Sequence, residues 1–502
     1  MINNSLVIFF ELRSKKASSV NQEIPDVFIQ YLNSVLGTDK DKFLSGLNFD
    51  KHTTLRVNTL KIEKEYLKTR LAESGFELDD IGFADALLVR NEPTLLSKTI
   101  EHFLGLVYIQ SIASMIPPLV LDPKENEIIL DISAAPGSKT TQIGQMMKNR
   151  GVLVANDWDG KRIKTLSHNL DRMGLINAAM VNMGGERIGN LLPETFDKIL
   201  VDAPCSALGV IHKAPQAVAN LNYLQKFAFI QEQLLVSAIK AAKIGGTIVY
   251  STCTVAPEEN EKLVNGILSR YPVELEDIVL PDTLSFMPGI TRYNGETYHA
   301  SLSKTVRILP SEINPEGFFI AKLKKTASVG TPEGKEPFNN KKVRFEFSSP
   351  RHEGIKRLAQ YFERTFGIDP AFWDSFLFVI KDDEILITSK EWQGKEEILN
   401  RIYTHRVGTR LARTRRADEW KLSTNAAQLF SYAISKNKID LTDPKEIETF
   451  VEAGTIRRPF EIEKGGVVVS ANGYTLGCGV IHQGNLKSQM PKSRTVISVD
   501  IY

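Results

Sequence analysis

Asp202, Cys205 and Cys253 have the side-chain types that nucleophilic chemistry requires. They stand at the ends of two similar stretches, FDKILVDAPC (196–205) and GGTIVYSTC (245–253). A thiolate is a strong nucleophile and a placed carboxyl group moves protons. Together they suit a reaction in which sulfur adds to an electrophilic carbon. A free cysteine is ordinarily a small buried hydrophobe. These two instead follow short apolar runs, Lys198-Ile-Leu-Val and Thr247-Ile-Val-Tyr, and fall in loops that cannot pack like a core. The runs read as central strands of a parallel sheet, apolar on both faces. Ligands of such sheets lie beyond the carboxyl ends of the strands. Both thiols and Asp202 are therefore expected on one rim. Residue types alone leave open which thiol attacks.

The elements that must position them follow from the same pattern. IILDISAAPGSKTTQIGQMM (128–147) reads as strand, small-residue loop, helix. Ala134, Ala135 and Gly137 let backbone approach a ligand, and the helix from Thr140 offers its positive end. The loop is the first βα turn of a nucleotide-binding fold. It is neither GxGxxG nor a P-loop, so phosphate is not indicated. GVLVAND (151–157) is a second strand ending in Asp157, placed as an acid that holds ribose hydroxyls. A helix at 160–174 with Gly174 as its stop, a strand at AAMVNMGG (178–185) and a long helix from Leu224 complete the alternation. It predicts a doubly wound α/β sheet with a cofactor at its switch point.

Composition bounds the rest. The 502 residues are 42% hydrophobic and 24% charged, an ordinary globular mixture large enough for several domains. Three cysteines make no disulfide framework, which favours a reducing cytoplasm. No apolar run is long enough for a membrane helix, and Leu6 to Phe10 is too short for a signal-peptide core. A net charge of +2 excludes a polycation, so nucleic-acid binding must come from local basic clusters. One such cluster is Arg406, Arg410, Arg413, Arg415 and Arg416, suited to phosphate contact. Before the sheet, a helix at 24–36, a strand at 51–61 and a helix at 64–76 form a small α/β module. Arg56 and Asn58 could face a ligand; alone, they read as solvated strand residues.

AAPGSKT, DAPCS, and YSTCT with a downstream PEEN resemble the RNA 5-methylcytosine methyltransferases of the Fmu/RsmB/RsmF family. The resemblance runs from TTLRVNT at 53 to IAKLKK at 325 and favours the RsmF branch, which acts on small-subunit ribosomal RNA. It implies a Rossmann-like methyltransferase sheet and S-adenosylmethionine as cofactor. Ala134, Ala135, Pro136, Gly137, Ser138, Lys139 and Thr140 would embrace the cofactor, and Asp157 would take its ribose. Asp202 would touch cofactor or substrate, Cys253 would attack, and Cys205 would assist release. A Pro-Cys pair like Pro204-Cys205 attacks in DNA cytosine methyltransferases, so analogy alone is divided. Where the resemblance leads one to expect an acid near the adenine, this chain has Gly184. The run after Cys205, His212-Lys213-Ala214-Pro215-Gln216, also departs from the family's basic-acidic pattern.

The expected division is an N-terminal RNA-binding module at 1–105, the methyltransferase domain at 106–325, a Gly- and Pro-containing linker at 326–342, an intermediate α/β module at 343–420 and a PUA-like β-rich RNA-binding domain at 421–502. The expected partner is RNA, ribosomal RNA or the small ribosomal subunit, met by a monomer without metal or membrane. The alternatives are a transfer-RNA cytosine-5 methyltransferase and a non-catalytic RNA-binding assembly factor.

Overall fold

The computed structural model describes residues 24–47, 52–83, 85–330, 345–416 and 418–490. The apolar run at 6–10, most of the expected linker and the basic PKSR segment at 491–494 lie outside the described residues.

The central sheet grows from strands whose residues are apolar on both faces. β5 (Ile128–Asp131), β6 (Val152–Asn156), β7 (Ala178–Val181), β8 (Phe196–Asp202) and β9 (Ala242–Thr252) pair in parallel in the order β7-β6-β5-β8-β9. The order reverses at β5, whose neighbours are β6 on one side and β8 on the other. That is the switch point where a ligand crevice opens. Register aligns the ends: Asp131 lies opposite Leu200, and Asp202 opposite Ser251. Helices cover both faces, as a parallel sheet requires. The helix Gly160–Met173 shows how sequence sets their limits. Asp159 accepts from the Lys161 amide at its start, and Gly174 closes it at φ +78°.

Antiparallel strands extend both edges. Phe318–Lys325 pairs with β9, Phe319 opposite Thr252. At the far edge, Thr404–Val407 pairs with β7, so the segment after residue 343 joins the central sheet. Beside it, Phe376–Lys381, Glu384–Ser389, Thr409–Arg416 and Glu419–Leu422 form a separate four-stranded sheet. Its first hairpin turns at Asp382 (φ +53°) and Asp383, as the sequence predicts.

The N-terminal module is a four-stranded antiparallel sheet in the order β2-β3-β1-β4, made of β1 (Thr53–Val57), β2 (Glu77–Asp80), β3 (Ala86–Asn91) and β4 (Val107–Ile109). Arg56 and Asn58 are not solvated. Arg56 is buried and crosses from β1 to the helix Ser138–Met146, donating to the Ser138 carbonyl at 2.9 Å and the Thr141 hydroxyl at 2.8 Å. It also donates to Gln110 Oε1 at 2.6 Å. Burial pulls its guanidinium pKa down to about 9. Asn58 donates to the carbonyls of Gly105 and Met173. Both expectations fail because a strand's polar side chain faces solvent only where no neighbouring element covers it.

The C-terminal part is β-rich. Five strands lie in the order Lys438–Leu441, Gly465–Ala471, Tyr474–His482, Asn485–Ser488, Thr455–Ile456. Leu55, Val57, Leu67 and Leu71 of the N-terminal module share one apolar core with Leu441, Val467 and Leu476 of this sheet and Phe450 of the helix Pro444–Val451. Cys478 is buried, its thiol pushed up to about 12 by desolvation. No helix among the described residues is long and apolar enough to cross a membrane.

Candidate active site

Three loops meet at the carboxyl ends of β5, β8 and β9. The loop after β5 is shaped by its small residues and by three polar ties. The Ala134 amide donates to the Asn156 carbonyl at 2.7 Å, and the Thr140 hydroxyl donates to Asp131 Oδ2 at 2.6 Å. The Ala135 amide donates to Asp157 Oδ2 at 3.2 Å. The Ala135–Pro136 peptide is cis. Gly137 adopts φ +111°, a backbone conformation that favours glycine, and a Cβ there would sit 3.0 Å from Leu166 Cδ1.

Ser138 begins the helix that ends at Met146, and its carbonyl carries the Arg56 bond described above. Lys139 projects from the first turn of this helix. Its ammonium donates to Asp202 Oδ2 at 2.7 Å and to Ser114 Oγ at 3.0 Å, over the Phe318 ring at 5.3 Å. Burial alone would lower the Lys139 pKa. The Asp202 carboxylate, by charge and hydrogen bond, outweighs that and raises it, with Cys253 and Asp131 adding. Ser251 Oγ donates to the other Asp202 oxygen at 2.8 Å.

The two thiols meet. Cys205 Sγ and Cys253 Sγ are 3.1 Å apart, both half-buried. The Cys205 thiol is held well above the ordinary range, first by its hydrogen bond with Cys253 and then by burial. Behind the sulfurs, Ser206 Oγ and Thr254 Oγ1 are 2.7 Å apart, tying the two loops together.

Asp131 ends β5 fully buried. Its Oδ1 has no hydrogen-bond partner among the described residues. Desolvation raises its pKa to about 7, against the pull of the Thr140 hydroxyl. In the sequence Asp131 reads only as the end of a strand; an acid directly ahead of the small-residue loop is the available signal. Asp157 is 1% exposed, and both its oxygens are engaged. Oδ1 accepts from the Asp159 amide at 3.0 Å, while Oδ2 accepts from Ala135 and lies 3.3 Å from Arg162. Burial raises the Asp157 pKa despite Arg162.

Gly184 resolves differently from its sequence reading. Its φ of −61° suits any residue. A Cβ there would lie 2.2 Å from Glu186 Oε1, so the Glu186 carboxylate folds across the glycine. An acid thus stands beside this position, supplied two residues later. No sequence signal separates such a displaced acid from a surface glutamate.

The arginine run divides. Arg406 is 17% exposed and bidentate to Asp171, at 2.6 and 2.9 Å, because its strand pairs with β7. It braces the sheet edge and departs from the exposed cluster the sequence suggests. Arg410 and Arg413 pair with Glu384 on the separate four-stranded sheet, while Arg415 is exposed. Arg416 lies in the same strand, and its side chain is outside the described residues. Among the described residues no group of His, Cys, Asp or Glu gathers to hold a metal ion.

A Rossmann-like sheet with a small-residue loop at its switch point and two rim thiols defines a class of enzyme that joins a nucleotide-type cofactor to thiol chemistry. Residues 118–324 match the family model for the 16S rRNA methyltransferase RsmB/F, and residues 24–112 match the N-terminal domain of the 16S rRNA methyltransferase RsmF. "Ribosomal RNA small subunit methyltransferase F" of Vibrio cholerae serotype O1 is 32% identical over 94% of this chain and 98% of its own length. The protein of that name from Aliivibrio salmonicida is 30% identical over 93% and 97%. Among solved structures, a methyltransferase homolog from Pyrococcus horikoshii is 34% identical over 60% of this chain and 95% of its own, with a TM-score of 0.53. NSun6 from Pyrococcus horikoshii, solved with SFG, is 26% identical over 61% and 99%, with a TM-score of 0.52. The chain belongs to the 16S rRNA methyltransferase RsmB/F family.

Proposed function

We propose that the protein methylates carbon 5 of a cytidine in small-subunit ribosomal RNA, using S-adenosylmethionine, through a covalent bond from Cys253 to carbon 6 of the base. The observation that carries this is the pair of sulfurs 3.1 Å apart on the rim that also holds Lys139 and Asp202. The names and coverage of the relatives favour ribosomal over transfer RNA, and an intact thiol pair argues against a merely structural factor.

Carbon 5 of cytosine is a poor nucleophile until sulfur adds at carbon 6, which makes it enamine-like. The family resemblance assigns the attack to Cys253 and leaves Cys205, whose sulfur lies 3.1 Å away, to assist release. The Lys139–Asp202 pair delivers a proton to N3 as the sulfur adds and takes it back as the sulfur leaves, an effect of about 10²–10⁴-fold. Cys205, as thiolate, takes the carbon 5 proton, the double bond between carbons 5 and 6 re-forms, and the carbon 6–sulfur bond breaks to return Cys253 as thiolate. The base must be unpaired or flipped to reach this rim.

S-adenosylmethionine, when bound, supplies an electrophilic methyl group. The residues present fit it. Asp131 Oδ1, buried and without a partner among the described residues, suits an ammonium-bearing ligand. Ala134 to Thr140 give backbone room, Asp157 shapes the loop on the ribose side, and Glu186 restores an acid beside Gly184 for the adenine end. Arg410, Arg413 and Arg415, together with the N-terminal module and the PUA-like C-terminal sheet, are the surfaces that would hold RNA phosphates. The protein would work as a monomer in the cytoplasm.

The test combines bisulfite sequencing of small-subunit RNA from a deletion strain with a denaturing gel of thiol variants, substrate RNA and cofactor. One cytidine should lose its protection on deletion. Cys253→Ala should form no adduct, and Cys205→Ala should methylate, stall and remain bound to RNA. An adduct with Cys253→Ala alone would reverse the thiol assignment.

A further inference from the structure

Two adjacent side chains behind the thiol loops take no part in the chemistry above. Glu259 and Asn260 belong to the PEEN tetrapeptide, and both are fully buried. Glu259 Oε2 accepts from the Ser206 amide at 3.0 Å and from Gln231 Nε2 at 2.6 Å. The same Gln231 nitrogen donates to the Pro204 carbonyl at 2.9 Å. Pro204 and Ser206 are the residues on either side of Cys205. Asn260 Oδ1 accepts from the Thr252 hydroxyl at 2.7 Å, and its Nδ2 donates to the Thr254 carbonyl at 3.0 Å. Thr252 and Thr254 are the residues on either side of Cys253. Tyr250 of β9 donates to the Glu259 carbonyl at 2.6 Å, fixing the tetrapeptide to the sheet.

Cys205 is thus gripped at its flanks by the linked pair Glu259 and Gln231, and Cys253 at both flanks by Asn260. We propose that Glu259, acting with Gln231, is the positioning residue for Cys205, that Asn260 is the positioning residue for Cys253, and that the two divide the reaction into a release half and an attack half. The proposal rests on the thiol roles given above. A buried carboxylate without a cationic partner is an expensive way to satisfy one backbone amide. A Glu259 hydrogen-bonded to the Cys205 loop and linked through Gln231 to its other flank gives that cost a function. The division follows from bonding: Glu259 with Gln231 holds residues 204–206 and Asn260 holds residues 252–254, while the Ser206–Thr254 contact keeps the loops together when either brace is lost.

The experiment uses the full-length protein with substrate RNA and S-adenosylmethionine, reading turnover and the covalent adduct on a denaturing gel, with thermal unfolding of every variant. Glu259→Ala should accumulate adduct as Cys205→Ala does, with turnover down about 10²-fold, the cost of a misplacement near 1 Å. Gln231→Ala should shift both readouts in the same direction and covers the case in which Glu259→Ala does not fold. Glu259→Gln keeps an acceptor for the Ser206 amide and should recover turnover and clear the adduct. Asn260→Ala should lose turnover without forming adduct. Reduced turnover without adduct in both Glu259→Ala and Gln231→Ala, or an adduct in Asn260→Ala, overturns the proposal while Cys205→Ala still traps RNA. No adduct with Cys205→Ala overturns the thiol roles and this proposal with them.

Discussion

Asp131 gives the cofactor site a pH signature that can be worked from the structure. Its carboxyl is fully buried, and desolvation lifts its pKa from 3.8 to about 7. A ligand carrying an ammonium group selects the ionised form. At pH 6 a group of pKa about 7 is about one-tenth ionised, and at pH 7 about half. S-adenosylmethionine affinity should therefore rise about fivefold from pH 6 to pH 7, about 1 kcal/mol, with a proton released on binding. Working below pH 7 avoids titration of the ligand's own amino group. Calorimetric titration in two buffers of different ionisation enthalpy measures affinity and proton release together. Asp131→Asn should bind more weakly at pH 7 and show no such pH dependence. A flat wild-type profile, or an unchanged slope in Asp131→Asn, would refute the assignment of this carboxyl to the cofactor.

Asp157→Ala should weaken cofactor binding while leaving the fold intact, because the Ala135 amide and Arg162 lose their shared anchor; unchanged affinity by calorimetry would remove Asp157 from the site. Neutralising Arg410, Arg413 and Arg415 should weaken RNA binding and flatten its salt dependence by roughly one slope unit or less per lost phosphate contact. Arg406→Ala should instead lower thermal stability, since it removes both guanidinium bonds from the half-buried Asp171 and leaves it the Thr409 hydroxyl; an Arg406 variant that changes only the salt slope would return it to the RNA surface. Glu259 has its pKa raised by burial from 4.5 to about 7, so its contribution to stability is complete below about pH 4.5 and lost as pH rises through 7. Glu259→Gln should thus be more stable than the native protein at pH 8 by about 3 kcal/mol and nearly equal at about pH 4, read by denaturant unfolding.

The parallel sheet was legible because its strands are short apolar runs ending in polar loops. The same periodicity placed Asp202, Cys205 and Cys253 on one rim. Long-range pairing was not legible in the same way. Nothing in TTLRVNT distinguishes a solvated arginine from one buried against a helix some 80 residues later, because the difference lies in what covers β1. The arginine run reads as one charged face, yet pairing of Thr404–Val407 with β7 commits Arg406 to Asp171 and leaves the later arginines on another sheet. Gly184 reads as a missing acid, while a neighbouring glutamate folds back over the gap. The PEEN tetrapeptide reads as a family motif, and only the structure shows two of its side chains bonded to the flanks of two different cysteines.

These contacts bear on how a reaction of this kind is kept accurate. A covalent adduct must form, accept a methyl group and dissolve at one position of the base, so sulfur, carboxylate and cofactor loop must hold their places together. Lys139 and Asp202 link the β5 and β8 loops, the sulfurs link β8 to β9, and Ser251 returns from β9 to Asp202. Arg56 extends this frame outward, fixing the helix behind Lys139 to the N-terminal sheet, whose core continues into the C-terminal strands. Arg406 does the same at the opposite edge through Asp171, on the helix that carries Arg162. The surfaces proposed to hold RNA are therefore joined by buried polar contacts to the two helices that border the cofactor loop. RNA seated on those surfaces would meet thiols whose placement relative to the methyl donor is already fixed, which is the condition for a positioned rather than a chance encounter.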